Sequence, residues 1–269
     1  MCNNNNEIKA KEFFIFSYFN IVPEGLFDNK KENDDEKFKN FESYEKYVAY
    51  QCAYRAYLDV CRTIKYSVTT TEIEQDKKKY NGYIDLKKAF IDYEINLVLS
   101  NFNDLLSASD FDNKHEEICK WMLLDNDNIN IDTFLQNITE EDKKEKIKTA
   151  FDNYKLFKDR NSFQYGMAQK LLNMTIKNLL LAEDMFTGCT GYGDILKNKR
   201  NYFHVPVDKN IIKAAKSDFD IKASSKSWSN WSEKDYKDFT KTLNTKIENT
   251  NDYNCPLDWE HSAWIEFAE

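Results

Sequence analysis

A lysine, an asparagine and a second lysine recur at helical spacing in "YGMAQKLLNMTIK", residues 165–177. Separations of three and four residues place Lys170, Asn173 and Lys177 on one face of a helix. The positive potential of a helix N-terminus disfavours a charged ammonium at Lys170, and a neutral amine is the nucleophile of covalent Schiff-base chemistry. Lys170 is therefore a candidate nucleophile, and an ordinary solvated helix lysine is the alternative interpretation.

A candidate carboxylate follows in "VPVDKNIIKAA", residues 205–215. Because proline disfavours helix in the residue before it, residues 203–208 are predicted to be extended, with Asp208 capping the next helix. A carboxylate there could stabilise positive charge and assist proton transfer, or it could only cap the helix. His204 could contact a phosphate or a base, with a purely structural role as the alternative.

The elements that must position these residues are predicted to be helices. The chain has only 6 Gly and 3 Pro, few for the turns of a β-sandwich or barrel. Apolar periodicity and capping patterns predict the helices, which lie at about 43–66, 85–107, 113–124, 139–157, 167–182, 233–247 and 256–268. Ser232 and Asp235 are the predicted cap before 233–247. The predicted fold is mainly α, a multi-helix globular fold with a small N-terminal extended element.

Two stretches near the N-terminus are each compatible with two kinds of structure. The aromatic and β-branched run 12–22 could be a first buried strand or a short helix, and 28–40 a charged loop or helix edge. The chain divides at a predicted helix cap into an N-terminal helical region, 1–138, and a C-terminal one, 139–269, which could also form one continuous domain.

Several classes of function are disfavoured by composition. The six cysteines include no C-x-x-C pair, so neither zinc nor iron–sulfur spacing is present, and we expect no metal and no cofactor. No apolar run approaches the roughly 18 residues that span a bilayer, and the polar start lacks a secretory pattern. We therefore expect a cytoplasmic protein without a membrane partner.

The charge is unevenly distributed along the chain. The net charge is -8, which taken alone argues against nucleic acid. Residues 143–216 nevertheless hold 15 Lys and Arg against 7 Asp and Glu, a local +8. The remainder must then sum to -16, so the acidity lies outside the segment that contains Lys170 and Asp208.

These residues resemble a known family. "GMAQKLLNMTI" is similar to the second helix of the helix–hairpin–helix DNA glycosylases, which typically reads Gly-x-Gly-x-Lys-x-x-Asn or Asp and continues with apolar residues. Gly166 matches the first glycine, Lys170 the catalytic lysine and Asn173 the polar position. "VPVDKNIIKAA" resembles the apolar segment that ends in the family's catalytic aspartate, here Asp208. The resemblance is to the 8-oxoguanine and endonuclease-III-like branch and covers about 60 residues.

The resemblance implies a DNA glycosylase and lyase of DNA repair or surveillance. Lys170 would attack the sugar of a flipped nucleotide, and Asp208 would stabilise the developing charge. Gly166 and its neighbours would offer backbone amides to a phosphate. The residues expected to contact DNA or phosphate are Gly166, Gln169, Asn173, Lys177 and His204. Segment 143–216 would face the backbone of double-stranded DNA.

Other functions remain compatible with the sequence. The chain could be a non-catalytic acidic helical protein that binds a protein partner, a nucleotide or DNA, or a glycosylase fold that binds DNA without cutting it. Trp228 and Trp231 could form a base-stacking wall or pack in the core. The catalytic hypothesis requires the Lys170 amine and the Asp208 carboxylate to lie within about 4–8 Å of each other across an open cleft.

Overall fold

The computed structural model describes residues 17–33, 36–39, 41–61, 95, 97–123, 164–185 and 188–267. This part of the chain is mainly helical and has no strand, in agreement with the predicted fold class. We number its α-helices in chain order: α1 Glu24–Glu32, α2 Glu36–Lys39, α3 Tyr44–Cys61, α4 Phe102–Ser107, α5 Phe111–Leu123, α6 Tyr165–Met185, α7 Gly193–Lys199, α8 Lys209–Phe219, α9 Glu233–Thr250 and α10 Pro256–Phe267. Short 3₁₀ turns occur at Arg200–Tyr202 and Trp228–Asn230.

Helix α6 is the centre of the fold. It packs against α3, α5 and α9 and also contacts α7 and the turn Trp228–Asn230. Every residue from 165 to 173 is buried, so the first half of this helix has no solvated face. Lys170 is therefore not the ordinary solvated lysine of the alternative interpretation. Both Lys170 and Asn173 point into the protein.

The two predicted helix caps near the site are confirmed. Asp208 precedes α8, and its Oδ1 accepts hydrogen bonds from the backbone amides of Asn210 and Ile211. Ser232 and Asp235 form a reciprocal capping box at the start of α9. Because each cap satisfies amides that the helix leaves without partners, it fixes where the helix begins.

The N-terminal predictions are only partly matched by the structure. Within 12–22 the described residues begin at 17, where one helical turn passes into irregular backbone, so they contain no strand. The charged stretch 28–40 contributes to α1 and α2, whose inner faces bury Phe27 and Phe38. An extended N-terminal element is therefore not found among the described residues.

Other predictions lie wholly or partly outside the described residues. The helix predicted at 139–157 and the boundary between 138 and 139 are outside. Of the helix predicted at 85–107, residues 95 and 97–107 are described, and they are helical except for a turn at Asn101. Helix α6, from the predicted C-terminal region, packs on α3 and α5, from the predicted N-terminal region. Among the described helices, none has the length and apolar character needed to cross a membrane.

Candidate active site

Lys170 and Asp208 form an ion pair, although they lie 38 residues apart in the chain. Lys170 Nζ donates to Asp208 Oδ2 at 2.9 Å. The two side chains are mostly buried, with 10% and 17% of their surface exposed. Asp208 Oδ1 caps α8, so the carboxylate is held from both sides, by two backbone amides and by the amine. A carboxylate fixed in this way can take a proton from a neighbouring ammonium.

The side chain of Gln169 sets the position of Asp208. Its Nε2 donates to the Val207 carbonyl at 3.0 Å, and the Val207 amide donates back to Oε1 at 3.3 Å. Nε2 also donates to the Gly166 carbonyl at 2.7 Å. Because Val207 directly precedes Asp208, this pairing of a side chain with the main chain places the carboxylate beside the next residue of α6, Lys170.

Asn173 is the centre of a buried polar network. Its amide nitrogen lies 3.0 Å from the Tyr236 hydroxyl, and its Oδ1 lies 2.7 Å from His115 Nε2. The Tyr236 hydroxyl lies 3.0 Å from His204 Nδ1, and His204 Nε2 lies 2.8 Å from Asp112 Oδ1. The Asp112 side chain is 80% exposed, so the network runs from the protein surface to the centre of α6.

The interior of this network holds a neutral histidine. Because an amide oxygen only accepts hydrogen bonds, the Nε2 of His115 carries the proton that Asn173 Oδ1 receives. Burial, with the nearby His204 as a smaller cause, lowers the pKa of His115 to about 3. At the surface, the hydrogen bond from His204 lowers the pKa of Asp112.

Trp228 covers the Lys170 amine. Nζ lies 4.8 Å from the centre of the indole ring, a cation–π contact. The tryptophan is carried on the turn Trp228–Asn230, which packs directly against the start of α6. Trp231 is fully buried in the core. One tryptophan of the predicted pair therefore contacts the candidate nucleophile, and the other packs inside.

Gly166 allows the turn Trp228–Asn230 to pack closely against the start of α6. A Cβ atom at this position would lie 1.8 Å from the Trp228 carbonyl oxygen. The Gly166 amide donates to the Trp231 carbonyl at 3.1 Å, and the amides of Met167 and Ala168 both donate to Gln164. These amides are therefore occupied within the chain, which does not match the expectation that they are open to a phosphate.

The other predicted DNA-binding side chains are also engaged inside the protein. Gln169 and Asn173 are fully buried, which contradicts direct contact with DNA in this conformation. His204 is half-buried between Tyr236 and Asp112. Gln169 therefore supports the segment that carries Asp208, whereas Asn173 and His204 belong to the hydrogen-bond network around Tyr236.

Lys177 forms a second ion pair on the same helix. Its Nζ lies 2.7 and 2.6 Å from the two carboxylate oxygens of Glu260 on α10. The lysine side chain is 24% exposed, whereas that of Glu260 is 1% exposed. Burial raises the pKa of Glu260, and the charge of Lys177 opposes that rise. The predicted phosphate contact of Lys177 would therefore compete with a buried carboxylate.

A surface groove lies away from this pair. It has a volume of about 670 Å³ and runs between residues 219–224 and α9. Neither Lys170 nor Asp208 lines it, so this groove is not the open cleft that the catalytic hypothesis requires between them. Within the described ranges, no group of three or more His, Cys, Asp or Glu residues is placed to hold a metal ion. Lys170 and Asp208 themselves supply an amine and a carboxylate.

Three important residues were missed from the sequence. His115 and Tyr236 complete the hydrogen bonding of Asn173, and Glu260 neutralises Lys177. Glu260 follows Trp259 in an apolar segment, and a carboxylate in such a segment signals a buried partner. His115 and Tyr236 carry no comparable signal, because their partner lies 58 and 63 residues away.

Comparisons with known proteins identify no family. No protein-family model matches the chain, no curated protein matches its sequence, and no solved structure matches its fold. The residues and their geometry are therefore the basis for a functional proposal.

Proposed function

We propose that this protein is a DNA glycosylase with lyase activity, acting on a modified or missing base, with Lys170 as the amine nucleophile and Asp208 as its proton acceptor. One observation carries the proposal: the 2.9 Å contact between Lys170 Nζ and Asp208 Oδ2. The two residues are also those that the resemblance to the helix–hairpin–helix glycosylases selects.

The proposed chemistry begins with proton transfer. Asp208 accepts a proton from the Lys170 ammonium, which leaves a neutral amine. On an abasic sugar, the amine adds to the C1′ aldehyde, and a molecule of water leaves as the C=N bond of a Schiff base forms. On an intact nucleotide, the amine displaces the base from C1′, and the base leaves with the bonding electrons and takes up a proton.

The surroundings of the pair fit these two roles. The capping hydrogen bonds from α8 fix the position of the Asp208 carboxylate, so the proton acceptor already lies beside the amine when substrate arrives. The Trp228 ring covers the amine, so a sugar that reaches Lys170 must displace this ring or slide beneath it. The turn Trp228–Asn230 is therefore the part of the site that has to move when substrate binds.

The test is borohydride trapping on a DNA duplex with one abasic site. Borohydride reduces a Schiff base to a stable amine, so a nucleophilic Lys170 gives a covalent adduct. In Lys170→Arg the positive charge beside Asp208 is kept but the primary amine is lost, and we expect the adduct to disappear. Lys114→Arg is the matched control, because Lys114 also pairs with a carboxylate, Glu117, at 3.1 Å, and also stacks on a tryptophan.

An adduct that persists in Lys170→Arg would overturn the assignment of the nucleophile. Loss of the adduct in both variants would show that the substitution acts through folding and not through chemistry. Mapping the adduct by peptide mass spectrometry identifies the lysine independently of any variant.

A second candidate function is DNA binding without chemistry. It is favoured by the cover over Lys170, whose side chain is 10% exposed and lies under Trp228. Retention of abasic DNA without an adduct would support this function. Absence of both retention and adduct would instead favour an acidic helical protein with a protein partner.

A further inference from the structure

Three lysines form a stripe along the exposed side of α8. Lys209, Lys213 and Lys216 follow one another at intervals of four and three residues, the spacing of a single helix face. All three are exposed. The opposite side of α8 buries its apolar residues, Ile211, Ala214 and Ala215, so the orientation of the stripe toward solvent is fixed by packing.

The stripe is not neutralised within the described part of the chain. None of its three lysines lies within 4 Å of a described carboxylate, and segment 209–217 contains no acidic residue. Helix α9 shows the contrast, because Lys234 pairs with Asp238 and Lys237 pairs with Glu233. In a chain with 46 acidic and 38 basic residues, α8 therefore carries one face with three lysines and no ion pair to a described carboxylate.

The stripe begins beside the proposed site. Lys209 follows Asp208, the residue that pairs with Lys170. At about 1.5 Å per residue the stripe extends roughly 10 Å from there, which equals the rise along the duplex axis of about three nucleotides of one strand at about 3.4 Å each. A strand whose sugar lies at Lys170 would therefore have phosphates within reach of the lysines along α8.

We infer that the stripe of Lys209, Lys213 and Lys216 is the surface that binds the phosphate backbone of double-stranded DNA. This inference rests on the proposed function, and it names the partner surface of the same site. It also replaces the phosphate contacts expected at the start of α6, where the amide of Gly166 already has a partner.

The test measures binding separately from chemistry. The probe is a short duplex with a tetrahydrofuran abasic analogue, which has no C1′ aldehyde and cannot form a Schiff base. Affinity is measured against salt for the wild type, for Lys209→Gln/Lys213→Gln/Lys216→Gln, and for a control with the same loss of charge on α9, Lys234→Gln/Lys241→Gln/Lys246→Gln. Glutamine and lysine have similar helix propensities, so both variants should fold.

We expect the α8 variant to bind with a salt slope shallower by about 2.7, because each phosphate contact contributes about 0.9 to the slope. Its affinity near 0.1 M salt should fall on the order of 100-fold, and the α9 control should keep the wild-type slope. Equal slopes for the two variants, or a wild type that does not bind the duplex, would overturn the inference.

The two proposals can fail separately. A Lys170-dependent adduct together with an unchanged slope in the α8 variant would keep the glycosylase proposal and reject this surface. Binding that depends on the stripe but gives no borohydride adduct would keep the surface and reject the catalytic role of Lys170.

Discussion

The side chain of Gln169 pairs with the main chain of Val207 through two hydrogen bonds, at 3.0 and 3.3 Å, much as a neighbouring strand would. Segment 203–208 has no strand partner among the residues that the structure describes, and this single glutamine pairs with it instead. The pairing determines where Asp208 lies, because it fixes the preceding residue against α6.

Gln169→Leu is expected to destabilise the protein and to weaken the Lys170–Asp208 pair. The substitution leaves the buried amide and carbonyl of Val207 without their partner, and each such group costs about 1–3 kcal/mol. We expect the free energy of unfolding, measured by urea denaturation, to fall by at least about 2 kcal/mol. If adducts form by the proposed chemistry, their yield should fall as well.

Asn178→Leu is the matched control for this change. Asn178 is buried on the same helix and donates one hydrogen bond, to the Cys52 carbonyl at 3.0 Å. It should cost less stability and leave the adduct yield unchanged. Equal effects of the two substitutions would contradict a specific role of Gln169 in placing Asp208.

Gly166→Ala is expected to separate the turn Trp228–Asn230 from α6. The added methyl group would lie 1.8 Å from a backbone carbonyl oxygen, which no side-chain rotation relieves. Overpacking of this kind costs about 1–3 kcal/mol, and we expect a loss near the upper end in denaturant titrations. Tryptophan fluorescence should change at the same time, since Trp228 moves.

Gly25→Ala is the control for Gly166→Ala, and we expect it to leave stability unchanged or higher. An added Cβ at Gly25 in α1 meets no atom within 4 Å, and alanine favours helix over glycine by up to about 1 kcal/mol. This variant should be as stable as the wild type or more so. Similar destabilisation of both variants would show that the contact with Trp228 is not the cause.

Stability should fall as the pH is lowered below about 6.5, because of His115. The unfolded chain then takes up a proton on this imidazole, whereas the folded chain keeps it neutral until its lowered pKa of about 3. One such group changes the free energy of unfolding by about 1.4 kcal/mol per pH unit.

His115→Gln removes this titration and is the variant to compare. Between pH 6.5 and 4.5 the wild type should lose about 2 kcal/mol more than the variant, as measured by urea unfolding at several pH values. Parallel stability curves for the two proteins would show that His115 takes up its proton without unfolding.

Lys177→Met should be strongly destabilising because it leaves the carboxylate of Glu260 buried without its cation. Breaking one partner of a buried pair costs about 3–5 kcal/mol. Burial already raises the pKa of Glu260, so the folded state binds a proton more readily than the unfolded state. The loss should therefore be larger at pH 8 than at pH 5, where protonation removes the buried charge.

The double variant Lys177→Met/Glu260→Leu distinguishes the effect of an unpaired buried charge from the effect of lost packing. Replacing both charges with apolar groups should recover most of the stability. The loss relative to the wild type should then no longer differ between pH 5 and pH 8 because of Glu260. A double variant as unstable as Lys177→Met would mean that packing of the lysine stem, and not the unpaired charge, explains the effect.

Local patterns in the sequence predicted several helices of the described region, but they did not predict α1 or α7. Periodicity predicted α3, α5 and α6, although α6 extends two residues before and three beyond the predicted 167–182. The caps at Asp208 and at Ser232 were predicted because a capping side chain acts on amides only two or three residues away. These interactions join residues that are close in the chain, so they can be predicted from the sequence alone.

What only the tertiary structure decided is which polar residues are buried and with what partner. Helical spacing gave Lys170 and Asn173 the same face whether that face met water or protein. The partners that bury them, Asp208 and Tyr236, lie 38 and 63 residues further on. The same holds for Gly166, whose role depends on the Trp228 carbonyl. The sequence by itself determined several of the helices and the candidate lysine and aspartate. The burial of these two residues, their pairing and the Trp228 ring over Lys170 depend on long-range packing, which no local pattern contains.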